Sequence, residues 1–371
     1  MKIAFLSPWD PEDPSAWSGM VYRQFLSLQD QPETLLTTWF SGSVRPALPD
    51  RLLERILGQR RGGIYRAQLG VLTARRRAAL VDRRVARDRP EAVLAVAAST
   101  DAALLSAAVP VVHVTDATFD LIRDFYPDAT GLHPLTVMQA RLVDRRLARA
   151  AAAHVVSNRW AAQGLMSAGV AADRVHVVPF GPRLEPSVFE APAPRRNRRV
   201  LLVASNWERK AGDRVVRAVA RARDRSDQAP ELTVVGNTPV RLPGWVTHLG
   251  RVPPDRMAEI YASHDILVDL AAANAGGVTL TDAHAYGMPT VATDVGGVAD
   301  IVQDRSTGYL VSDSDAEEQA ASALLRLNDD DTWRRMSRAA RAHHERTLNW
   351  TTWARKTRQI IGAAGVTESE A

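Results

Sequence analysis

The sequence predicts an α/β fold built from two doubly wound domains, each a mostly parallel sheet covered by helices. Three observations carry this. At 371 residues the chain suits two domains of about 150–200 residues each. Short apolar runs alternate with segments of helical spacing, the pattern of a parallel sheet with crossover helices. That alternation stops in a Pro- and Arg-rich stretch, 186–199, and then begins again. With 46% apolar residues the chain can fill two cores, and 24% charged residues is ordinary for a globular protein.

Taken in order, residues 2–7 form an apolar run ended by Ser7-Pro8, a first buried strand. A polar loop from Trp9 to Gly19 leads into a helix over 20–28, and Leu35 to Phe40 reads as a second strand. Helical segments fill 50–87, and further strands follow at 92–97 and 109–114. A helix over 134–150, a strand at 153–157 and the run 175–181 close the first half. After the stretch 186–199 come strands at 200–204, 232–236, 266–270 and 290–292, with a helix over 212–224. The expected organisation is an N-terminal domain over 1–185 and a linker over 186–199. A C-terminal domain over 200–350 follows, then a helix within 351–371 that packs back on the first domain and ends in a frayed tail from Gly362.

Composition narrows the function classes. There is no cysteine, so disulfides and thiolate metal sites are excluded. No apolar stretch reaches the roughly 18 residues of a membrane span, and the short start Met1 to Ser7 is not read as a signal peptide. These features favour a cytoplasmic protein. The net charge of +5 is uneven: residues 51–90 hold twelve Arg and three acids, a local +9. One reading is a pair of solvated helices. The other is a surface for anionic membrane, which places the protein peripherally at the inner membrane face. Nucleic acid is not expected as a partner, because no aromatic interleaving or DNA-binding motif accompanies the Arg.

Three loops carry the chemistry. In Asn274-Ala275-Gly276-Gly277-Val278, two glycines lie between a strand and a helix start, where the backbone can approach a phosphate and free N–H groups attract it. Asp282 lies one turn into that helix, in reach of ribose hydroxyls. In Asn206-Trp207-Glu208-Arg209-Lys210, two adjacent cations again sit between strand and helix and could neutralise a diphosphate. In the first domain, Ser18-Gly19 opens a helix and suits a phosphate or sugar contact. Each loop alone also fits an ordinary turn or a solvated basic loop.

In this order the motifs resemble the retaining glycosyltransferases of family 4, which have the GT-B fold of two Rossmann-like domains with a cleft between them. The resemblance rests on Asp282-Ala283, Gly287-Met288-Pro289, Asp294-Val295-Gly296-Gly297, the loop Trp207 to Lys210, Pro179-Phe180-Gly181, and Trp17-Ser18-Gly19 with Asp116-Ala117-Thr118-Phe119. It implies a nucleotide-diphosphate sugar as donor, an acceptor hydroxyl, retention at the anomeric carbon, and no cofactor or required metal. Arg209 and Lys210 would stabilise the leaving diphosphate with the backbone at Gly276, Gly277 and Val278. Either cation is expected to be removable without loss of the fold. Two family acids differ here: Asn274 stands for the first Glu, near the donor sugar, and Asp282 for the second, on the ribose. Alignment also makes Asp116, with His113 on the same strand, the acceptor-side candidates, although His113 also fits a core position. His264, His284, His343 and His344 show no metal-ligand spacing. The alternatives are a nucleotide-sugar 2-epimerase of the same architecture and a non-catalytic relative that binds nucleotide sugars.

Overall fold

The computed structural model describes residues 1–58, 62–186 and 197–366. The expected linker over 186–199 lies mostly outside these residues; of the frayed end expected from Gly362, residues 362–366 are helical instead and 367–371 lie outside. The chain forms two compact units: Met1–Pro179 with Trp350–Ala371, and Phe180–Asn349.

The first unit begins with β1 (Lys2–Ser7), α1 (Met20–Gln29), β2 (Leu35–Phe40), α2 (Leu48–Leu57), α3 (Val71–Asp88) and β3 (Ala92–Val96). It continues with α4 (Ser99–Ala102), β4 (Val111–Thr115), α5 (Phe119–Ile122), α6 (Pro134–Ala150), β5 (Ala153–Val156), α7 (Arg159–Ser167) and β6 (Val175–Val177). The sheet order is β2-β1-β3-β4-β5-β6, and every pairing is parallel. Parallel strands in mid-sheet are covered on both faces, so they read as unbroken apolar runs. Ile3, Phe5, Val93, Leu94, Val112 and Val155 are accordingly fully buried. Local signals set the helix starts. Pro134 opens α6, where His133 Nδ1 accepts from the Leu135 amide at 3.2 Å, and the Asn158 side chain caps α7 through the Ala161 amide at 2.8 Å. The helical segments expected over 50–87 are present as two helices, α2 and α3. Gly62 and Gly63 between them take φ of +135° and +104°, which no helix tolerates.

The second unit contains β7 (Arg199–Val203), α8 (Gly212–Asp224), β8 (Glu231–Val235), β9 (Val246–Gly250), α9 (Pro254–Ser263) and β10 (Ile266–Asp269). Then come α10 (Val278–Ala285), β11 (Thr290–Thr293), β12 (Gly308–Val311), α11 (Ala316–Leu327) and α12 (Asp330–Arg346). Its parallel sheet has the order β12-β11-β10-β7-β8-β9. From β7 the chain winds outward through β8 and β9, returns to β10 beside β7, and winds the other way. This is the strand order of a Rossmann domain. The core on one face gathers Val200, Leu202, Val215, Val219, Val268, Leu324 and Trp333. The chain then returns to the first unit with α13 (Trp350–Val366), which packs on α1 and against β3, β4 and β5, burying Trp353 and Ile361.

Candidate functional site

In a doubly wound sheet a ligand crevice opens beyond the carboxyl ends of the strands where the winding reverses. In the second unit that point lies between β7 and β10. The two loops leaving it are 204–211 and 270–277, the same loops that the sequence marks out. Each ends in a left-handed residue at a helix start, Ala211 with φ +49° before α8 and Gly277 with φ +60° before α10. Close packing fixes the first loop further. A Cβ on Gly212 would lie 2.4 Å from the Trp207 ring, so only glycine lets that indole fold down onto the helix start.

The two loops are tied by one carboxylate that the motif reading passed over. Asp269, the last residue of β10, is 4% exposed. Its Oδ2 accepts from Lys210 Nζ at 2.5 Å and from Thr279 Oγ1 at 2.9 Å, and Asn274 Nδ2 lies at 3.5 Å. Its Oδ1 accepts from the Ala271 amide at 3.2 Å. Lys210 Nζ also donates to Thr279 Oγ1 at 3.2 Å. Lys210 is therefore a buried, paired cation rather than a solvated one. Arg209 is half-buried and donates through Nη1 to the Ala273 carbonyl at 3.1 Å, while the Ala272 amide donates to the Arg209 carbonyl. Asn274 accepts from the Gly277 amide at 3.0 Å, and its carbonyl accepts from Gly297 at 3.1 Å. The structure thus brings together Arg209, Lys210, Asn274, Gly276, Gly277 and Val278. The Gly277 amide is already engaged by Asn274, and α10 begins with no side-chain cap.

Asp282 lies one turn into α10 and is 3% exposed. Its Oδ1 accepts from the backbone amides of Arg183 and Leu184 at 2.7 and 3.0 Å. It also hydrogen-bonds the Tyr261 phenol, which burial and then the nearby Asp282 and Asp269 charges push well above its ordinary pKa. In this state the carboxylate anchors the segment that enters the second unit. A ribose hydroxyl would have to share it.

In the first unit the winding reverses between β1 and β3. Ser18 and Gly19 lie in the β1 loop, as expected. The backbone there is unusual, because Trp17, Ser18 and Gly19 have φ of +46°, +59° and +85° in succession. Two of these are not glycine, and such left-handed non-glycine residues carry strain that surrounding packing must hold. Here Trp17 stacks on Trp9 with centroids 6.0 Å apart and planes within 5°. The β3 loop adds Ala97 at φ +46°, another strained residue that no sequence motif marks.

The two acceptor-side candidates part company. His113 lies inside the sheet layer opposite His154 on β5, with Nδ1 atoms 3.3 Å apart, and desolvation and then its histidine neighbour lower its pKa to about 3. A ring so placed is a core histidine, and the expectation of a catalytic His113 is corrected accordingly. Asp116 stands just past the end of β4. Part of the residue meets solvent, but its carboxyl is enclosed and desolvation raises its pKa from 3.8 to about 6. If ionised Asp116 accepts the acceptor hydroxyl, kcat/KM falls as pH drops through about 6. Asp116→Asn is expected to abolish that acidic limb. A pH–rate profile of both proteins checks this, and an unchanged acidic limb in the variant would remove Asp116 from the role.

Among the described residues no group of three or more His, Asp or Glu side chains could hold a metal ion. No described helix is long and apolar enough to cross a membrane.

Two Rossmann-type units whose glycine-bearing loops collect at the switch points define the GT-B class of fold. Residues 197–330 match the family model described as Glycosyl transferases group 1. The D-inositol 3-phosphate glycosyltransferase of Acidothermus cellulolyticus is 30% identical over 232 residues, covering 54% of this chain and 51% of that protein. The N-acetyl-alpha-D-glucosaminyl L-malate synthase of Bacillus anthracis is 34% identical over 87 residues, 24% of this chain and 23% of that one. Matches to these relatives thus span about half of their length or less. Among solved structures, sucrose-phosphate synthase from Thermosynechococcus elongatus superposes with a TM-score of 0.72 at 17% identity, covering 99% of both chains. Anabaena HepE in complex with UDP and glucose gives 0.67 at 15% identity, over 98% of this chain and 100% of that one. The chain has the GT-B fold of these structures, and the stretch that matches the group 1 model lies within its second unit.

Proposed function

We propose that the protein transfers a sugar from a nucleotide-diphosphate sugar to an acceptor hydroxyl, with retention of anomeric configuration and without a metal. The observation that carries this is the meeting of the Arg209–Lys210 loop and the Asn274–Val278 loop at the switch point of a Rossmann-ordered sheet. Such an arrangement supplies cations and a helix start where a diphosphate leaves, so charge stabilisation and positioning do most of the work. That HepE was crystallised with UDP-glucose supports this class of donor. Asp116 is the acceptor-side residue in this reading. The sugar, the base and the acceptor follow from experiment. A melting screen with UDP-, GDP- and ADP-sugars comes first, where a true donor at 100 times its Kd stabilises by about 2.7 kcal/mol. Product analysis then separates the readings. A transferase releases nucleoside diphosphate with acceptor turnover, an epimerase interconverts the sugar nucleotide, and a pure binder does neither. Asn274→Ala is expected to weaken binding of the intact donor more than of the nucleoside diphosphate. Equal losses on both ligands in calorimetry would sink its assignment to the sugar.

The reading extends to a cytoplasmic protein that docks peripherally on anionic membrane, on a face smaller than the basic segment 51–90. One face of α3 packs inward through Thr73, Ala74, Arg77, Ala78 and Val81, with Arg75, Arg76, Arg83 and Arg87 exposed on the other. On α2, by contrast, Leu48, Leu52 and Ile56 recur every four residues and are 61%, 49% and 58% exposed, beside exposed Arg51 and Arg55. Met138 and Leu142 on α6 repeat the arrangement among Arg141, Arg145, Arg146 and Arg149. Apolar side chains can enter a headgroup layer while each guanidinium near anionic lipid adds about 1 kcal/mol. Co-sedimentation with phosphatidylglycerol vesicles at low salt is the expected result, lost at high salt and lost in Leu52→Glu/Ile56→Glu. Protein left in the supernatant with anionic vesicles points instead to a soluble acceptor.

A further inference from the structure

We propose that Asp269 is the positioning residue of the donor loops: it holds the Lys210 ammonium against the 274–279 turn, and the charge it supplies can be carried instead from position 274. The proposal rests on the transferase reading above. The placement of Asp269 is set by the fold, because as the last residue of β10 it is held in parallel register opposite Ala292 on β11. Its carboxylate receives Lys210 from the loop after β7, Thr279 from the first turn of α10 and the Ala271 amide from its own loop. One buried group therefore ties both switch-point loops. Two of the three Lys210 ammonium hydrogens point to Asp269 and Thr279, which fixes the direction of the third. A lysine on its flexible stem would otherwise sample many positions. Fixed in one, it meets a leaving diphosphate without reorganising, an advantage realised in the transition state more than in donor binding.

The neighbouring amide makes this testable. Asn274 Nδ2 is 3.5 Å from Asp269 Oδ2, and its Oδ1 accepts from the Gly277 amide. A glutamate at 274 is one methylene longer. It can keep the Gly277 hydrogen bond with one oxygen and present the other to Lys210, while an amide at 269 donates to it. The charge count is unchanged and only its location moves.

The experiment compares wild type, Asp269→Asn and the double variant Asp269→Asn/Asn274→Glu as full chains. The donor is UDP-glucose, or whichever of GDP-mannose and ADP-glucose raises the wild-type melting temperature. Asp269→Asn is expected to lower kcat by about tenfold or more while donor KM changes by less than about threefold, together with a fall in melting temperature. The double variant is expected to recover most of the melting temperature and to raise kcat well above the single variant. A purely structural Asp269 would give recovered stability without recovered turnover, and that overturns the proposal. It is overturned equally by Asp269→Asn with near-wild-type kcat, or by a double variant no better than the single in both measurements, including failure of both to fold. If wild type turns over none of the sugar nucleotides, the transferase reading itself falls and takes this proposal with it.

Discussion

Lys210→Ala is expected to lose stability and turnover together. The ammonium is paired with Asp269 at 2.5 Å, with side chains 5% and 3% exposed. Removing it leaves a buried carboxylate that keeps Thr279 and the Ala271 amide but has no counter-charge within the pair. Breaking a buried pair from one side costs about 3–5 kcal/mol, because the remaining charge cannot return to water. For a unit of this size that corresponds to a fall in melting temperature on the order of 10 °C. The sequence alone suggests that either cation of the Arg209–Lys210 pair can be removed with the fold intact. The buried pair limits that expectation to Arg209. Arg209→Ala should melt close to wild type and lose turnover, since Arg209 is half-buried and its Nη1 donates to the neutral Ala273 carbonyl. Thermal melts and steady-state kinetics on both variants check the contrast. Lys210→Ala with wild-type stability would mean that Asp269 is not an isolated buried charge without it.

Asp282→Ala should likewise show its largest effect on stability. Alanine leaves the part-buried amides of Arg183 and Leu184, and the buried Tyr261 phenol, without this acceptor. Each such orphan costs about 1–3 kcal/mol. Asp282→Asn keeps an oxygen of the same reach and should retain most of that stability. Nucleotide binding separates the two roles of the residue. If Asp282 also meets the ribose, Asn weakens the nucleoside diphosphate measured by calorimetry while the melt stays near wild type. If Asn is neutral on both, the carboxylate serves only the anchor, and the ribose assignment fails.

What the sequence made legible followed from periodicity. The helices over 134–150 and 212–224 have the expected bounds, and the buried strands end within a residue or two of their apolar runs, except 175–181, which shrinks to β6. The strands that escaped are β9, an edge strand with mostly exposed residues, and the four-residue β12. An edge strand solvated on its faces does not carry the apolar run by which its neighbours are recognised. The loops of the site were legible because their glycines and paired cations fall together, in one order, at successive strand-to-helix turns, although each alone also fits an ordinary turn. Their bonding was not. Asp269 stands 59 residues from Lys210, and Asp282 about a hundred from the amides it holds. Nothing local distinguishes a strand-ending aspartate that faces a buried lysine from one that faces water. His113 illustrates the reverse, since only the register of β4 against β5 shows that its neighbour is another histidine.

The return of α13 to the first unit has a consequence for biosynthesis. Emerging chains commonly fold domain by domain from the N-terminus. Here residues 1–179 cannot complete their core as they leave the ribosome, because the Trp353 and Ile361 side chains that close it are made only after the whole second unit. The second unit, Phe180–Asn349, is continuous and has all its strands sooner. The later-encoded unit can therefore finish first, while the earlier one waits with part of its sheet uncovered. Without α13 the N-terminal unit would be left open over β3, β4 and β5 and exposed to proteases and aggregation.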